Sequence, residues 1–197
     1  MRQYVVVGHD VTADAEISLD DLPGAGRFDV LCRAVTAALL TSHGIRAGTR
    51  VHLVIDDDVT ITVDGGRARR LNPDERSTAA LLRDALARRS EAIGHQPVES
   101  SPGVELRRRG FEATIDAIAA DGSLLVLDQA GDAAGMTSPP DDPILVLSDH
   151  HDFTETERAI LDDRDADRLS LGPVALHGDQ AIAVAHNWLD TDGFDRY

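Results

Sequence analysis

The chain contains no lysine, a single cysteine and few aromatic residues, which make up 4% of its 197 positions. Without lysine, the Gly-Lys-Ser/Thr ending of a phosphate-binding P-loop is absent. The lone Cys32 excludes an intramolecular disulfide and a cysteine metal cluster, and it indicates an intracellular compartment. Its apolar helical surroundings favour a role in the core. No base that would activate the thiol is evident, so a catalytic nucleophile is not predicted.

Long hydrophobic runs and two common motifs are missing as well. No segment approaches the length of a membrane-spanning helix, and the start of the chain lacks the architecture of a signal peptide. There is no Gly-x-Ser-x-Gly elbow and no G-x-G-x-x-G dinucleotide fingerprint. We therefore predict a cytoplasmic protein without a membrane partner.

Acidic residues are abundant, at 35 against 19 basic residues, all of them arginine, for a net charge of −16. A GC-rich genome explains arginine in place of lysine but not the acid excess, so we predict a protein from a halophile with a salt-loaded cytoplasm. The alternative is an ordinary acidic protein that repels nucleic acid. Against that alternative, residues 67–110 hold ten arginines and only six acidic residues, a basic segment retained within an acidic chain.

Three short apolar runs near the C-terminus have the length and branched character of buried parallel strands, at residues 124–127, 144–147 and 169–171. Each is followed by a polar or glycine-containing loop. Together with a first strand at residues 3–7, they predict an α/β fold with a mostly parallel sheet and helices on both faces. Ligands bind such sheets where the carboxyl ends of the strands open into loops.

The N-terminal half predicts a helix at residues 28–40 and two strands, 51–55 and 59–63, joined by a three-aspartate hairpin turn. A second helix begins near Asn72, which we predict to be its N-cap, and runs to about Arg89. We predict loops at residues 94–103 and 128–142, the latter long enough to be a lid or a threaded loop.

The eight histidines and the three-aspartate turn raise the question of a metal. His150 and His151 are adjacent and cannot both point inward from a regular element, and His177 and His186 have no histidine partner at helical spacing. The aspartate turn has no ligand-spaced partner downstream. We therefore predict no metal site.

Several C-terminal segments resemble those of the archaeal tRNA pseudouridine-54 N1-methyltransferases of the SPOUT superfamily. The specific matches are Leu147-Ser148-Asp149-His150 with Phe153-Thr154, Leu169-Ser170-Leu171-Gly172, Asp179-Gln180-Ala181-Ile182 and His186-Asn187. A weaker match is Leu71-Asn72-Pro73-Asp74-Glu75-Arg76-Ser77. The likeness covers most of the chain, but only the C-terminal segments are specific.

The resemblance implies a single SPOUT domain over residues 1–197, whose C-terminal region, about 123–190, forms a trefoil knot around a bent S-adenosylmethionine pocket. Physical reasoning alone predicts no knot, because threaded chains are rare. The implied activity is N1-methylation of pseudouridine in tRNA by a homodimer whose last helix contributes to the interface. Two alternatives stay open: a related enzyme acting on ribosomal pseudouridine, and a non-enzymatic module that binds RNA or a nucleotide.

The resemblance also implies the site residues. The predicted cofactor-binding residues are Leu125, Leu127, Leu147, Ser148, Leu169, Ser170, Leu171, Gly172, Pro173, Leu176 and Ala181. For several of these leucines, strand core is the competing interpretation. The N1 proton of pseudouridine must leave as the methyl group arrives, and Asp149 or Asp74 are the predicted acceptors, directly or through water.

The basic segment, about residues 67–110, is predicted to face RNA. Its predicted RNA-binding residues are Arg67, Arg69, Arg70, Arg76, Arg107 and Arg109. Arg70 and Arg76 flank a helix N-terminus, an arrangement that suits phosphate. On a strand, Arg107 and Arg109 share one face and Arg108 the other, so this run either lines an RNA groove or forms a solvated edge.

Overall fold

The computed structural model describes residues 1–69 and 71–196. The strands are β1 (Arg2–Gly8), β2 (Leu40–Thr41), β3 (Gly44–Ile45), β4 (Thr49–Ile55), β5 (Val59–Asp64), β6 (Val98–Ser101), β7 (Val104–Arg107), β8 (Ser123–Ala133), β9 (Pro143–Ser148) and β10 (Asp167–Ser170). The helices are α1 (Phe28–Leu39), α2 (Glu75–Ala87), α3 (Phe111–Ile118), α4 (Glu155–Asp162) and α5 (Gly178–Asp190). None of these helices combines the length and hydrophobicity needed to cross a bilayer.

Eight strands form one sheet in the order β10-β8-β9-β1-β4-β5-β7-β6, and β2 pairs with β3 in a separate ribbon. The five strands from β10 to β4 are parallel to their neighbours, and β5, β7 and β6 continue the sheet in antiparallel fashion. The predicted mostly parallel sheet is therefore confirmed. The valine-rich β1 is buried at its centre, as expected for a strand covered on both faces.

Helices cover both faces of the sheet. Inward side chains such as Tyr4 and Leu53 pack with α1, α2 and α5 on one face. The alternate residues of the same strands, such as Val5 and Val54, pack with α3 and α4 on the other. This division follows from the two-residue periodicity of a strand, which sends successive side chains to opposite faces.

The three main differences from the predictions are an added strand, a shifted helix cap and a shorter loop. Residues 94–103 contain β6, which pairs with β7 at the sheet edge; its polar sequence carries no strand pattern, since an edge strand has little to bury. The N-cap of α2 is Asp74 and not Asn72: the Asp74 carboxylate accepts a bond from the Ser77 amide at 3.0 Å. The long loop at residues 128–142 is shorter than predicted, because β8 continues to Ala133.

The pairing of β8 with β10 is interrupted in the middle. Arg168 pairs with Val126, but the next residue, Leu169, pairs with Asp132, so five residues of β8 leave the ladder. At the end of this excursion the backbones come very close, since a Cβ added to Gly131 would meet the Arg168 carbonyl carbon at 2.5 Å. The excursion positions residues 127–131 at the mouth of the site described next.

Candidate functional site at the ends of the parallel strands

The largest cavity at this sheet edge, the main cavity, has a volume of about 380 Å³. The excursion of β8, the end of β9 and the start of α5 enclose it. Its lining residues include Leu127, Asp128, Gln129, Leu147, Ser148, Asp149, His151, Arg158, Arg168, Leu176, Gly178 and Ala181. The carboxyl ends of adjacent parallel strands thus meet here, as expected for ligand sites in open α/β sheets.

A smaller adjoining cavity, of about 90 Å³, shares Leu127, Leu176 and Ala181 with the main cavity and extends along β10 to residues 169–172. Between them the two cavities are lined by nine of the eleven predicted cofactor-binding residues. The other two, Leu125 and Pro173, lie outside both linings. Leu125 is only 5% exposed and packs with Leu169 and Trp188, so its strand-core interpretation is the one the structure supports.

Gly172 forms an open part of the smaller cavity. Its φ is +155°, a value that side-chain-bearing residues rarely adopt, and no atom lies within 4 Å of a Cβ built on it. A ligand can therefore approach the backbone here as closely as glycine permits. The carboxylates of Asp128 and Asp149 in the main lining favour a ligand that carries positive charge.

Asp149 is held in a hydrogen-bond network at the wall of the main cavity, and its side chain is 2% exposed. Its carboxylate accepts bonds from the His9 amide at 2.8 Å and from the His151 amide at 2.9 Å, and it lies 3.0 Å from His9 Nδ1. The opposite ring nitrogen of His9 lies 3.1 Å from Glu157. The network therefore joins the loop after β1 to the loop after β9.

His9 is enclosed by two carboxylates. Burial disfavours the charged imidazole, but the hydrogen bonds to Asp149 and Glu157 outweigh burial and raise the pKa of His9 above its usual value. Sequence analysis missed His9 and Glu157. The signal for His9 was its position directly after a buried strand, whereas the position of Glu157, three residues after Thr154, signals only a helix-capping role.

The other predicted proton acceptor, Asp74, lies elsewhere. It caps α2, and it belongs to neither cavity lining. Hydrogen bonds from the Ser77 hydroxyl and the Ser77 backbone amide lower the pKa of the Asp74 carboxyl group. The contacts of Asp74 therefore stabilise the N-terminus of α2.

A second groove, of about 350 Å³, collects arginines on the face of the antiparallel strands, and we call it the arginine groove. Its arginines are Arg50, Arg67, Arg107 and Arg109. The neighbouring Arg108 is exposed and outside the lining, as strand alternation predicts. Sequence analysis missed Arg50, although its spacing of two residues from His52 on β4 placed both on one face.

Acidic side chains neutralise three of these arginines. Arg50 lies 2.8 Å from Asp64, and Glu105 lies 2.7 Å from Arg67 and 2.9 Å from Arg107. Within residues 1–69 and 71–196, Arg109 forms no ion pair. Burial and the adjacent Arg107 guanidinium lower its pKa below the usual arginine value. In a chain with so many carboxylates, Arg109 is a cation left available for an anionic ligand.

The floor of the arginine groove is a neutral histidine. His52 lies 2.8 Å from the Gln3 side-chain oxygen and 3.0 Å from the Thr62 hydroxyl. Burial, reinforced by Arg50, Arg107 and Arg109, lowers its pKa to about 4. The groove thus contains positive charge without a protonated histidine at neutral pH.

The remaining predicted RNA-binding arginines lie apart from the arginine groove. Arg69 donates to the carbonyl oxygens of Gly66 and Ala68. Arg76 pairs with Asp20 at 2.6 Å, and both are well exposed. Arg70 lies outside the described residues. The basic segment is therefore divided in space, and strand alternation decides which of its members face the arginine groove.

Comparisons with known proteins agree with this architecture. Residues 1–194 match a family model described as "Putative SAM-dependent RNA methyltransferase". The chain is 59% identical to the tRNA (pseudouridine(54)-N(1))-methyltransferase of Haloarcula marismortui and 54% identical to that of Haloferax volcanii, with full coverage of both chains in each case. Both relatives are haloarchaeal, in agreement with the prediction from the acid excess.

A solved structure shows the same fold at low sequence identity. Archaeoglobus fulgidus Nep1 bound to S-adenosylhomocysteine superposes with a TM-score of 0.68 at 12% identity, covering 94% of this chain and 95% of that chain. The predicted α/β architecture, with a mostly parallel sheet and helices on both faces, is thereby confirmed at the level of the fold.

Proposed function

Because the chain belongs to the tRNA (pseudouridine(54)-N(1))-methyltransferase family, we propose that it methylates N1 of pseudouridine 54 in tRNA with S-adenosylmethionine as the donor. The observation that carries this proposal is the main cavity, where three chain segments enclose about 380 Å³ beside the carboxylate of Asp149. The cofactor supplies an electrophilic methyl group. The protein supplies position, exclusion of water and a route for the proton.

The cofactor fits the two adjoining cavities. Leu127, Leu147 and Leu176 would form apolar walls for the adenosine, and Gly172 would allow its polar edges to approach backbone groups. The carboxylate of Asp128 would stabilise the positive sulfonium. Leu125 would contribute indirectly, because it packs against Leu169, which lines the smaller cavity. Pro173 follows Gly172 in the same loop.

The proton of N1 must leave as the new bond to carbon forms. Asp149 is the predicted acceptor at the cavity wall, and Asp74 is not part of that wall. Both oxygens of Asp149 already accept hydrogen bonds, so the proton would reach it through a water molecule. His9 would hold the carboxylate in place during the transfer.

We further propose that the C-terminal region of the chain is threaded through a loop. The five-residue excursion of β8 next to β10 leaves an opening in the ladder. The turn after β8 then contacts the last helix, where the Trp188 indole donates to the carbonyl oxygens of Ala134 at 2.9 Å and Thr137 at 3.3 Å. These contacts support a trefoil knot in the region of residues 123–190. The strands of the main sheet come from residues 2–170, and this continuity supports a single domain.

The arginine groove would take the tRNA backbone. Its available cation, Arg109, suits a phosphate, and its three neutralised arginines can exchange carboxylates for phosphates. A salt-loaded cytoplasm screens long-range attraction strongly. Geometrically defined arginine contacts would therefore matter more than net charge, which is −16.

A second copy of the chain would cover the cavity mouth. Val174 is 69% exposed and Leu176 is 39% exposed, and both belong to the loop that precedes α5. Leu176 also lines both cavities. A homodimer that buried this loop would remove apolar surface from water and shield the cofactor.

The proposal is tested by transfer of a labelled methyl group to four RNAs in molar salt. These are tRNA with pseudouridine 54, the same tRNA with uridine 54, a tRNA pseudouridylated at another position, and a ribosomal fragment with pseudouridine. We expect label only in the first, and mapping of the product should place it at position 54.

Three outcomes would overturn all or part of the assignment. Equal labelling of the ribosomal fragment would favour the related ribosomal enzyme. Calorimetric binding of S-adenosylmethionine without transfer to any of the four RNAs would favour a binding module. Absence of binding would remove the cofactor assignment itself.

A further inference from the structure

Three side chains that commonly bind metals converge beside the main cavity. Asp10 lies in the loop after β1, and His150 and His151 lie in the loop after β9. The Asp10 carboxylate is 3.1 Å from His150 Nε2 and 2.9 Å from His151 Nε2. The prediction of no metal site assumed that His150 and His151 belong to a regular helix or strand. These histidines instead occupy an irregular loop, where both rings turn towards one oxygen.

The spacing of the three ligand atoms suits a transition-metal ion. All three lie within 4.8 Å of one another. Zinc binds histidine nitrogen at about 2.0–2.1 Å, so the ligand atoms of a tetrahedral site lie about 3.3 Å apart. Small rotations of exposed side chains would bring the cluster to that geometry. Two imidazoles and one carboxylate favour zinc, cobalt or nickel over magnesium or calcium.

The surroundings supply two further features of a metal site. Asp149 lies 3.5 Å from the Nδ1 atom of His150, where a carboxylate can orient a ligating ring. The side chains of His150, His151 and Asp10 are 27%, 50% and 51% exposed. An ion could therefore enter from solvent and keep a water ligand on its open side.

We propose that Asp10, His150 and His151 bind one divalent transition-metal ion of the zinc class. The bound ion would tie the loop after β1 to the loop after β9, at the edge of the main cavity, which His151 also lines. The site stands on these three side chains alone and does not depend on methyl transfer.

The experiment is calorimetric titration of the untagged, metal-free chain with zinc chloride at about pH 7.5, since a metal ion competes with protons for its ligands. We expect one equivalent to bind. His150→Asn and His151→Asn should each weaken binding at least tenfold. The matched controls are His43→Asn and His95→Asn, which remove exposed histidines elsewhere and should leave the affinity unchanged. Cobalt provides a second readout, since a tetrahedral site absorbs visible light strongly.

The proposal fails if the wild-type chain shows no saturable binding. It also fails if the His150→Asn and His151→Asn chains retain the affinity of the controls. Circular dichroism of each variant separates lost binding from lost folding, and Asp10→Asn offers an independent ligand change in the other loop. Because binding is measured without RNA, failure here leaves the proposed methyl transfer untouched.

Discussion

The indole of Trp188 donates a hydrogen bond to the carbonyl oxygen of Ala134 at 2.9 Å. Trp188 belongs to the last helix and is fully buried, and Ala134 belongs to the turn after β8. The same cluster includes Leu125 and Leu169 from β8 and β10. This contact therefore holds the C-terminal helix against the strands that form the back of the two cavities.

Trp188→Phe should lower the free energy of unfolding by about 2–3 kcal/mol, since it leaves a small cavity and removes the indole hydrogen bond to Ala134. Denaturant unfolding followed by circular dichroism measures the change. Met136→Leu, at a side chain 90% exposed in the same turn, is the control and should change stability by less than about 0.5 kcal/mol. Equal stability of the two variants would contradict the role of this contact.

Gly172→Val should reduce S-adenosylmethionine binding below detection and retain the fold, because the new side chain would fill the smaller cavity. Isothermal titration calorimetry measures the affinity. The control is Gly94→Val, at a second glycine with positive φ (+57°) and open space around a built Cβ, and it should bind the cofactor normally. Wild-type affinity in Gly172→Val would refute the cavity assignment.

Arg109→Ala should weaken tRNA binding and reduce the dependence of log affinity on log salt by about one unit, as loss of one phosphate contact predicts. Affinity is measured over a salt series. Arg108→Ala removes the same charge from the adjacent position outside the arginine groove. If both variants lose affinity equally, net charge and not the groove governs binding.

Asp149→Asn should lower kcat by about 100-fold or more, since a neutral amide cannot take the proton. Cofactor affinity should fall much less than kcat, because the Asp128 carboxylate in the same lining still favours the cationic donor. Asp152→Asn removes a charge from the same lining and should have little effect on kcat. A pH profile of kcat for Asp149→Asn that keeps the wild-type shape and height would exclude Asp149 as the proton acceptor.

Stability should decrease as the pH falls from about 6.5 towards 4. Burial lowers the pKa of His52 and of His186 to about 4, so in this window the unfolded chain binds more protons and unfolding becomes favoured. Each histidine contributes at most about 3 kcal/mol. His9, whose pKa is raised, acts above this window: the stability that its carboxylate partners add is lost as the pH rises above about 6.5.

Denaturant unfolding at a series of pH values measures this effect. His52→Gln should flatten the dependence, because glutamine binds no proton in either state. His95→Gln, at an exposed position, should keep the wild-type slope. A dependence that His52→Gln leaves unchanged would show that His52 does not titrate differently on folding.

Much of the site followed from local patterns. Apolar runs predicted β9 and β10, and the resemblance identified the loops that line the cavities. Edge strand β6 was missed because its residues 98–101 are largely polar, and the N-cap of α2 was misplaced by two residues because Asn72 and Asp74 are both good capping residues. Leu125 was assigned to the cofactor because its sequence pattern is the same whether it faces a core or a cavity.

The sequence by itself determined the strand and helix periodicities, the acid excess with one basic segment, and the family likeness of the C-terminal loops. These properties depend on neighbouring residues or on summed composition, so they can be determined without knowledge of the fold. Only the tertiary structure decided that Arg50 joins Arg109 in one groove, that His9 holds Asp149, and that two adjacent histidines meet Asp10. Such contacts join residues far apart in the chain, and strand order and loop conformation, which no short pattern encodes, bring them together.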